Sequence, residues 1–302
     1  MRLGKNELKV HTLLKPARVT AAVVTFVPDE TGYFQDRLSV IRLSLESLVK
    51  YADLPVDLMV FDNGSCPSLV KLLVSLKEQG VIQYLILSAK NIGLSGAYQI
   101  ISNSAPGEII AFANDDVFYY PNWLSKQVEI LDQFPDVGLV SGSYLRGTHP
   151  QTSILAVQKG LSVKEVNAPD EWLDQFCKGA SYPSRESYYQ SQEKLGWTDL
   201  HDNLIEVDGV KAYAGGVCWQ AVFKKSILQE VLPTDDPKEH GWSTYDSYFH
   251  NSIIEDGYLR LSTAEVYVHH IGNVLTTEMV EIAKQHGFTN NYKPIKNASG
   301  RF

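Results

Sequence analysis

Cysteine is scarce in this 302-residue chain. Cys66, Cys177 and Cys218 are odd in number and far apart, so neither a disulfide framework nor a CxxC metal site is indicated, and packing roles are expected. Long apolar runs are missing too; none approaches the roughly 20 residues of a membrane span. No GxGxxG follows the first strand-like segment and no GxxxxGK[ST] occurs anywhere, which removes the dinucleotide fingerprint and the phosphate-cradling loop. Excess positive charge is also lacking. A net charge of −8 argues against a broad nucleic-acid footprint, while a small nucleotide held through a metal stays compatible with it. The first residues, MRLGKNELKVHTLLKPAR, are basic but have neither the apolar core nor the cleavage site of a signal peptide. A cytoplasmic protein is therefore expected, with peripheral contact at the inner membrane face left open. No internal repeat is detectable.

What remains is the composition of a globular protein, 44% hydrophobic and 21% charged, long enough to bury a large core without staples. From residue 18 to 142 the pattern alternates strand and helix with short polar connections, the signature of βαβ units and a mostly parallel α/β sheet flanked by helices. Strands are expected at residues 19–27, 56–61, 82–87, 108–113 and 137–140. Leu38, Ile41, Leu45 and Leu48 recur at helical spacing, as do Leu69, Leu72, Leu73 and Leu76. Further helices are expected after Ser95 and after Pro121, the latter suited to a first turn.

Residues 145–209 break the alternation with a run of aromatics and read as a helical insert. A strand-like segment at 210–219, a helix at 221–231, a Pro/Asp-rich loop at 232–241, a helix at 245–256 and a strand at 258–269 follow. The expected division is an N-terminal extension at 1–17, an α/β half at 18–142, a second half at 143–273 that includes the insert, and a polar tail at 274–302 with one helix at 277–286.

Three strand exits carry polar groups: Asp62-Asn63-Gly64-Ser65, Asn91-Ile92-Gly93 and Asn114-Asp115-Asp116-Val117. Parallel strands bring such exits to one sheet edge, where α/β folds bind ligands. Carboxylates there can hold a hard divalent cation, and the cation a diphosphate; Asp62 can accept an N–H from a base. Each motif also has a plainer reading. Asn-Gly favours a turn, the aspartates can cap the next helix, and His269 can be a satisfied structural histidine.

Taken in order, Thr25, the three exit motifs and Pro121-Asn122-Trp123-Leu124 resemble family 2 glycosyltransferases of the GT-A fold. Gly215-Gly216, Tyr245-Asp246, Gly257-Tyr258 and Val268-His269-His270-Ile271-Gly272 extend the resemblance across residues 18–273, the insert excepted. It implies a GT-A-like fold and a metal-dependent, inverting transfer of a sugar from a nucleoside-diphosphate sugar to a saccharide or lipid-linked acceptor, with a rhamnosyltransferase-like subtype among the options. It also implies roles: Thr25, Asp62, Asn91, Gly93, Asn114 and Asp115 at the nucleotide sugar, with Asp62 at the base; Gly215 and Gly216 on the acceptor side; Asp116 and His269 at Mn²⁺ or Mg²⁺; and Asp246 as catalytic base. Asn114 stands at the first acidic position of the family's DXD element, and Tyr245 stands where the family often has Glu.

These roles are chemically coherent. A sugar nucleotide already carries a good leaving group, so one base suffices where glycoside hydrolysis commonly needs two carboxylates. Mixed carboxylate and imidazole ligation suits Mn²⁺ as well as Mg²⁺. Two other classes compete. A sugar nucleotidyltransferase would need a basic Gly-rich loop near the first strand, which is absent, and a catalytically silent carbohydrate-binding or scaffold protein would accommodate Asn114 and Tyr245.

Overall fold

The computed structural model describes residues 15–144, 151–180, 182–194, 201–232, 249, 251–288 and 292. Its first half is built as the periodicity dictates. Strands β1 (Val19–Thr25), β2 (Val56–Asp62), β3 (Tyr84–Leu87) and β4 (Ile109–Asn114) pair in parallel in the order β3-β2-β1-β4. Helices α1 (Arg37–Tyr51), α2 (Pro67–Glu78) and α3 (Gly93–Ser104) connect them.

Alternation along β1 explains why both faces need cover. Val19, Ala21 and Val23 join one core with Ile41, Leu45 and Leu48 of α1 and Leu69, Leu73 and Leu76 of α2. Ala22 and Val24 join another with Ala97, Tyr98 and Ile101 of α3. Each buried Leu, Ile or Val contributes roughly 1.5–3 kcal/mol, so these faces hold the helices against the sheet.

Beyond β4 the chain makes a short strand, β5 (Val117–Tyr119), then α4 (Trp123–Gln133) and β6 (Val137–Ser141). Asn122 occupies the left-handed region at φ 68°, which Asn tolerates better than most residues, so the chain turns sharply into α4 after Pro121. The indole of Trp123 is fully buried and donates to Leu48 O at 3.2 Å, tying α4 to α1.

The insert is α5 (Gln151–Gln158), β7 (Val163–Val166), α6 (Asp170–Gly179), α7 (Arg185–Lys194) and β8 (Asp202–Val207). Its two strands were not anticipated. They add to the main sheet beside β9 (Val210–Ala214), giving ten strands in the order β3-β2-β1-β4-β10-β6-β11-β9-β8-β7. Of the aromatics expected there, Tyr188 joins Leu173 and Cys177 in a small core with Tyr144 and Tyr213, and Trp172, Phe176, Tyr182 and Tyr189 pack against it.

Residues 221–231, read as one helix, divide in two: β10 (Gln220–Lys224) and then α8 (Lys225–Val231). Ala221, Val222 and Phe223 are buried because β10 runs antiparallel between β4 and β6. A strand covered on both faces reads as a continuous apolar run, which periodicity alone does not separate from buried helix. The strand expected at 258–269 likewise divides, into β11 (Leu259–Thr263) in the main sheet and β12 (Val268–His270), which pairs with β5 in a separate two-stranded ribbon. Last, α9 (Thr277–Gln285) is capped by Thr276, whose hydroxyl accepts from Met279 N, and it packs Met279, Val280 and Ala283 against Val40, Leu43 and Phe118.

Candidate active site

Register brings the three exits together. Thr25 stands opposite Asp62, Val24 opposite Asn114, and Asp62 opposite Leu87, so the polar segments that follow β1, β2, β3 and β4 leave the sheet at one edge. Asp62 is buried and both of its oxygens are held: Thr25 Oγ1 donates to Oδ1 at 3.2 Å, and Ser65 N donates to Oδ2 at 3.1 Å.

Asn63 fastens this loop to the next. Its Nδ2 donates to Asn91 Oδ1 and Gly93 O, both at 3.1 Å, and its Oδ1 accepts from Ile92 N at 2.9 Å. Gly64 permits the approach. It has φ +83°, and a Cβ there would lie 2.6 Å from the Lys90 carbonyl carbon. Asn91 Oδ1 also accepts from Gly93 N at 2.8 Å, where the α3 helix begins.

At the exit of β4, Asn114 N donates to Trp219 O at 2.8 Å, so this motif is anchored to the segment that precedes β10. Asp115 and Asp116 are buried, and one guanidinium bridges them. Arg37, at the first position of α1 and 6% exposed, donates through NH2 to Asp115 Oδ1 and through NH1 to Asp116 Oδ2 at 3.0 Å. Burial opposes the charge on Arg37, but attraction to Asp115 and Asp116 outweighs it and raises its pKa. Burial also pushes the Asp115 carboxyl above the usual carboxylate range; Arg37 works against that and the neighbouring Asp116 adds to it.

The late histidines divide their roles. His269 was the residue expected beside Asp116, but its ring turns away and its Nδ1 takes a 2.8 Å bond from Gln175 Nε2. His270 is the one that reaches Asp116, with Nε2 3.4 Å from Oδ1. The register of β12 against β5 is the physical reason: His270 stands opposite Val117, next to Asp116, and His269 opposite Phe118, and successive side chains of a strand point to opposite faces. Burial pushes the His269 imidazole down to about 4, so it is neutral near pH 7.

The contacts of His270 fix its tautomer. Nδ1 lies 2.7 Å from Gly179 O, and a carbonyl only accepts, so Nδ1 carries the proton and Nε2 is left to face Asp116. A histidine oriented by a backbone carbonyl through its far nitrogen is a common arrangement for metal ligands. Helix α6 thus positions both rings, through Gln175 and Gly179, and Trp219 packs edge-on to His270 at 5.1 Å.

Two carboxylate oxygens in this cluster, Asp115 Oδ2 and Asp116 Oδ1, are buried and accept no hydrogen bond. Buried carboxylate oxygens without a hydrogen-bond donor, one of them beside an imidazole nitrogen, fit a divalent cation. Among the described residues no group of three or more His, Cys, Asp or Glu side chains is arranged to hold a metal alone. An ion of the Mg²⁺ kind can be bound through one or two carboxylates, with water and phosphate oxygens completing its shell.

Gly215 and Gly216 lie against β11: Gly215 N donates to Arg260 O at 2.8 Å, and a Cβ on Gly216 would sit 2.4 Å from Leu261 O. Asp246 and Tyr245 lie outside the described residues. Beside His270 is a cavity of about 70 Å³, walled by Tyr144, Trp172, Phe176 and Trp219.

Arg37, Gln175, Gly179 and His270 are the members of this cluster that the sequence reading missed. For Arg37 a signal existed, because a cation in the first turn opposes the helix dipole and calls for a specific partner. His270 was visible as the neighbour of His269.

Comparison with known proteins adds the following. The family profile described as Glycosyl transferase family 2 matches residues 34–188, just over half of the chain. No curated protein matches. Among solved structures, GalNAc-T7 with UDP, GalNAc and Mn²⁺ is similar at a TM-score of 0.50 and 14% identity, over 84% of this chain and 43% of that one. The mannosyltransferase PcManGT from Pyrobaculum calidifontis, in complex with GDP-Man and Mn²⁺, is similar at 0.47 and 18%, over 83% and 55%. S. aureus TarS 1-349 in complex with UDP-GlcNAc is similar at 0.33 and 17%, over 41% and 33%. The chain therefore spans about half or less of the length of these structures. The mixed α/β sheet flanked by helices is the fold that GalNAc-T7 shares with it.

Proposed function

The chain belongs to glycosyltransferase family 2, and from that premise we propose that it moves a sugar from a nucleoside-diphosphate sugar to a hydroxyl of a saccharide or lipid-linked saccharide acceptor, with inversion at the anomeric carbon. One observation carries this reading: the polar exits of adjoining parallel strands share one sheet edge, with Asp62 at one point and the Asp115–Asp116 pair at another. A nucleotide laid along that edge meets both.

Asp62 accepts an N–H of the base, and its contacts with Thr25 and Ser65 keep both oxygens in place. Asn63, Asn91 and Gly93 brace that end. A divalent cation, Mn²⁺ or Mg²⁺, would be held by Asp116 and His270, with Asp115 adding its negative charge. When bound, it supplies stabilisation of the charge on the departing diphosphate. GalNAc-T7 was solved with UDP, GalNAc and Mn²⁺; the same classes of ligand are proposed for this chain. Asp246 takes the proton of the acceptor hydroxyl as its oxygen attacks. The aromatic walls of the cavity beside His270 offer the apolar face on which a sugar ring stacks.

The test is release of free nucleoside diphosphate from a panel of UDP-, GDP- and dTDP-sugars in the presence of saccharide acceptors. Acceptor-dependent release from one donor, lowered about 10²–10⁴-fold by Asp246→Asn with donor binding intact, is the expected result. Binding of saccharides with no release from any donor would favour the silent carbohydrate-binding reading instead.

A further inference from the structure

Arg37 occupies ground that the metal-assisted reading reserves for a metal, and its placement has a consequence for when a metal can bind. The guanidinium takes one oxygen from each of two carboxylates and sends a third bond from NH1 to Gly272 O at 3.3 Å. Its side chain is 7% exposed, and those of Asp115 and Asp116 are 9% and 13% exposed. The other oxygen of each acid is buried without a hydrogen-bond partner, and His270 Nε2 faces one of them.

Counting charge decides the matter. Two carboxylates and one guanidinium leave the cluster at −1. A divalent cation arriving alone would turn it to +1 in a low-dielectric setting, where an uncompensated charge is costly. A nucleoside diphosphate arriving with the cation carries more than one negative charge, so it more than offsets that excess, and its phosphate oxygens complete the cation's shell. Without Arg37 the two carboxylates stand at −2, and a divalent cation alone would neutralise them.

We propose that Arg37 is a fixed third charge that makes divalent-cation binding conditional on a nucleoside diphosphate. The proposal rests on the reading of this edge as the donor site. Its effect is a coupling free energy between two ligands and is therefore reciprocal: the cation strengthens nucleotide binding by the factor by which the nucleotide strengthens cation binding. For the protein this means that the empty site does not retain a free metal ion.

The test is a Mn²⁺ titration of the full chain followed by electron paramagnetic resonance, in which free Mn²⁺ gives the signal, with no nucleotide and then with UDP or GDP. Wild-type protein is expected to bind Mn²⁺ weakly alone and at least about tenfold more tightly with the preferred nucleotide. Arg37→Met is expected to bind Mn²⁺ alone at least about tenfold more tightly than wild type, with the gain removed by adding Asp116→Asn. In the same variant Mn²⁺ without nucleotide should raise the unfolding temperature, a readout independent of catalysis.

Equal or weaker Mn²⁺ binding by folded Arg37→Met overturns the proposal. Should that variant fail to fold, Arg37→Gln and Arg37→Lys take its place, with tighter Mn²⁺ binding alone expected for Arg37→Gln and not for Arg37→Lys, and wild-type protein that binds Mn²⁺ as tightly alone as with UDP or GDP overturns the proposal without any substitution. Absence of Mn²⁺ binding in every condition also overturns it. Acceptor-dependent transfer measured in EDTA then shows whether the glycosyltransferase reading survives independently.

Discussion

Removing Arg37 in the absence of metal and nucleotide should destabilise the protein more than most single changes, and removing its partners as well should undo the damage. The side chain makes a charge-assisted hydrogen bond to each of two buried carboxylates. At about 1.5–3 kcal/mol for a hydrogen bond to a charged group, two such bonds suggest about 3–6 kcal/mol. Breaking one side of a buried ion pair typically costs about 3–5 kcal/mol, because the remaining charge is left uncompensated.

For 302 residues at about 2.1 cal/mol/K each, the unfolding entropy is about 0.6 kcal/mol/K, so Arg37→Met should lower Tm by about 5–8 °C. The triple variant Arg37→Met, Asp115→Asn, Asp116→Asn buries no net charge and should return to within about 1–2 kcal/mol of wild type. Thermal and urea unfolding followed by circular dichroism at pH 7.5 with EDTA measures both. A single variant within about 1 kcal/mol of wild type, or a triple variant no better than the single, would refute the view that Arg37 exists to compensate this acid pair.

Gly64→Ala should cost more than Gly80→Ala, although both glycines sit near φ +80°. Gly80 has no atom within 4 Å of the added carbon and should lose only the left-handed penalty of about 1–2 kcal/mol, whereas Gly64 also meets the Lys90–Asn91 backbone at 2.6–2.7 Å and should lose about 1–3 kcal/mol more, along with nucleotide affinity. Equal losses in urea unfolding would show that the loops do not need this close approach. Stability should also fall with acid through His269. Its folded pKa of about 4 lies below the ordinary 6.5, so the unfolded chain takes up the proton first, and the contribution is complete above pH 6.5 and lost as pH falls to 4. The loss is at most about 3.4 kcal/mol, and a His269→Gln variant with the same pH profile as wild type would contradict it.

How far the sequence could be read follows from the range of the interactions involved. Strands β1, β2 and β4 announce themselves because burial on both faces makes them continuous apolar runs, and α1 and α2 because one apolar stripe repeats at helical spacing. The polar exits were legible for the same reason, since parallel strands place them on one edge. What escaped depends on distant partners. β10 is a strand because it lies between β4 and β6, and nothing in Ala221-Val222-Phe223 states that. The pairing of β12 with β5 rather than with the main sheet decides which histidine meets Asp116, and it joins residues some 150 positions apart. Arg37 and its two acids are separated by 78 and 79 residues, so its role is written in the fold and only hinted at by its place in the first turn of α1.

The ribbon of β5 and β12 also bears on how this chain can change. His270 stands opposite Val117, and Ile271 N donates to Asp116 O at 2.7 Å, so the acid pair and the late histidine belong to one small backbone unit. Everything between Tyr120 and Tyr267 leaves that unit at one end and returns to it, the backbones meeting again where Tyr120 N donates to Tyr267 O at 2.9 Å. A loop closed at its base can lengthen or shorten at an entropic penalty that grows only slowly with its length. Insertions in the turns between α5 and β8 that leave Gln175 and Gly179 of α6 in place can therefore remodel the surface around this unit while the spacing of Asp116 and His270 is preserved. Descendants of this sequence have room to change that surface without rebuilding the acid–histidine unit.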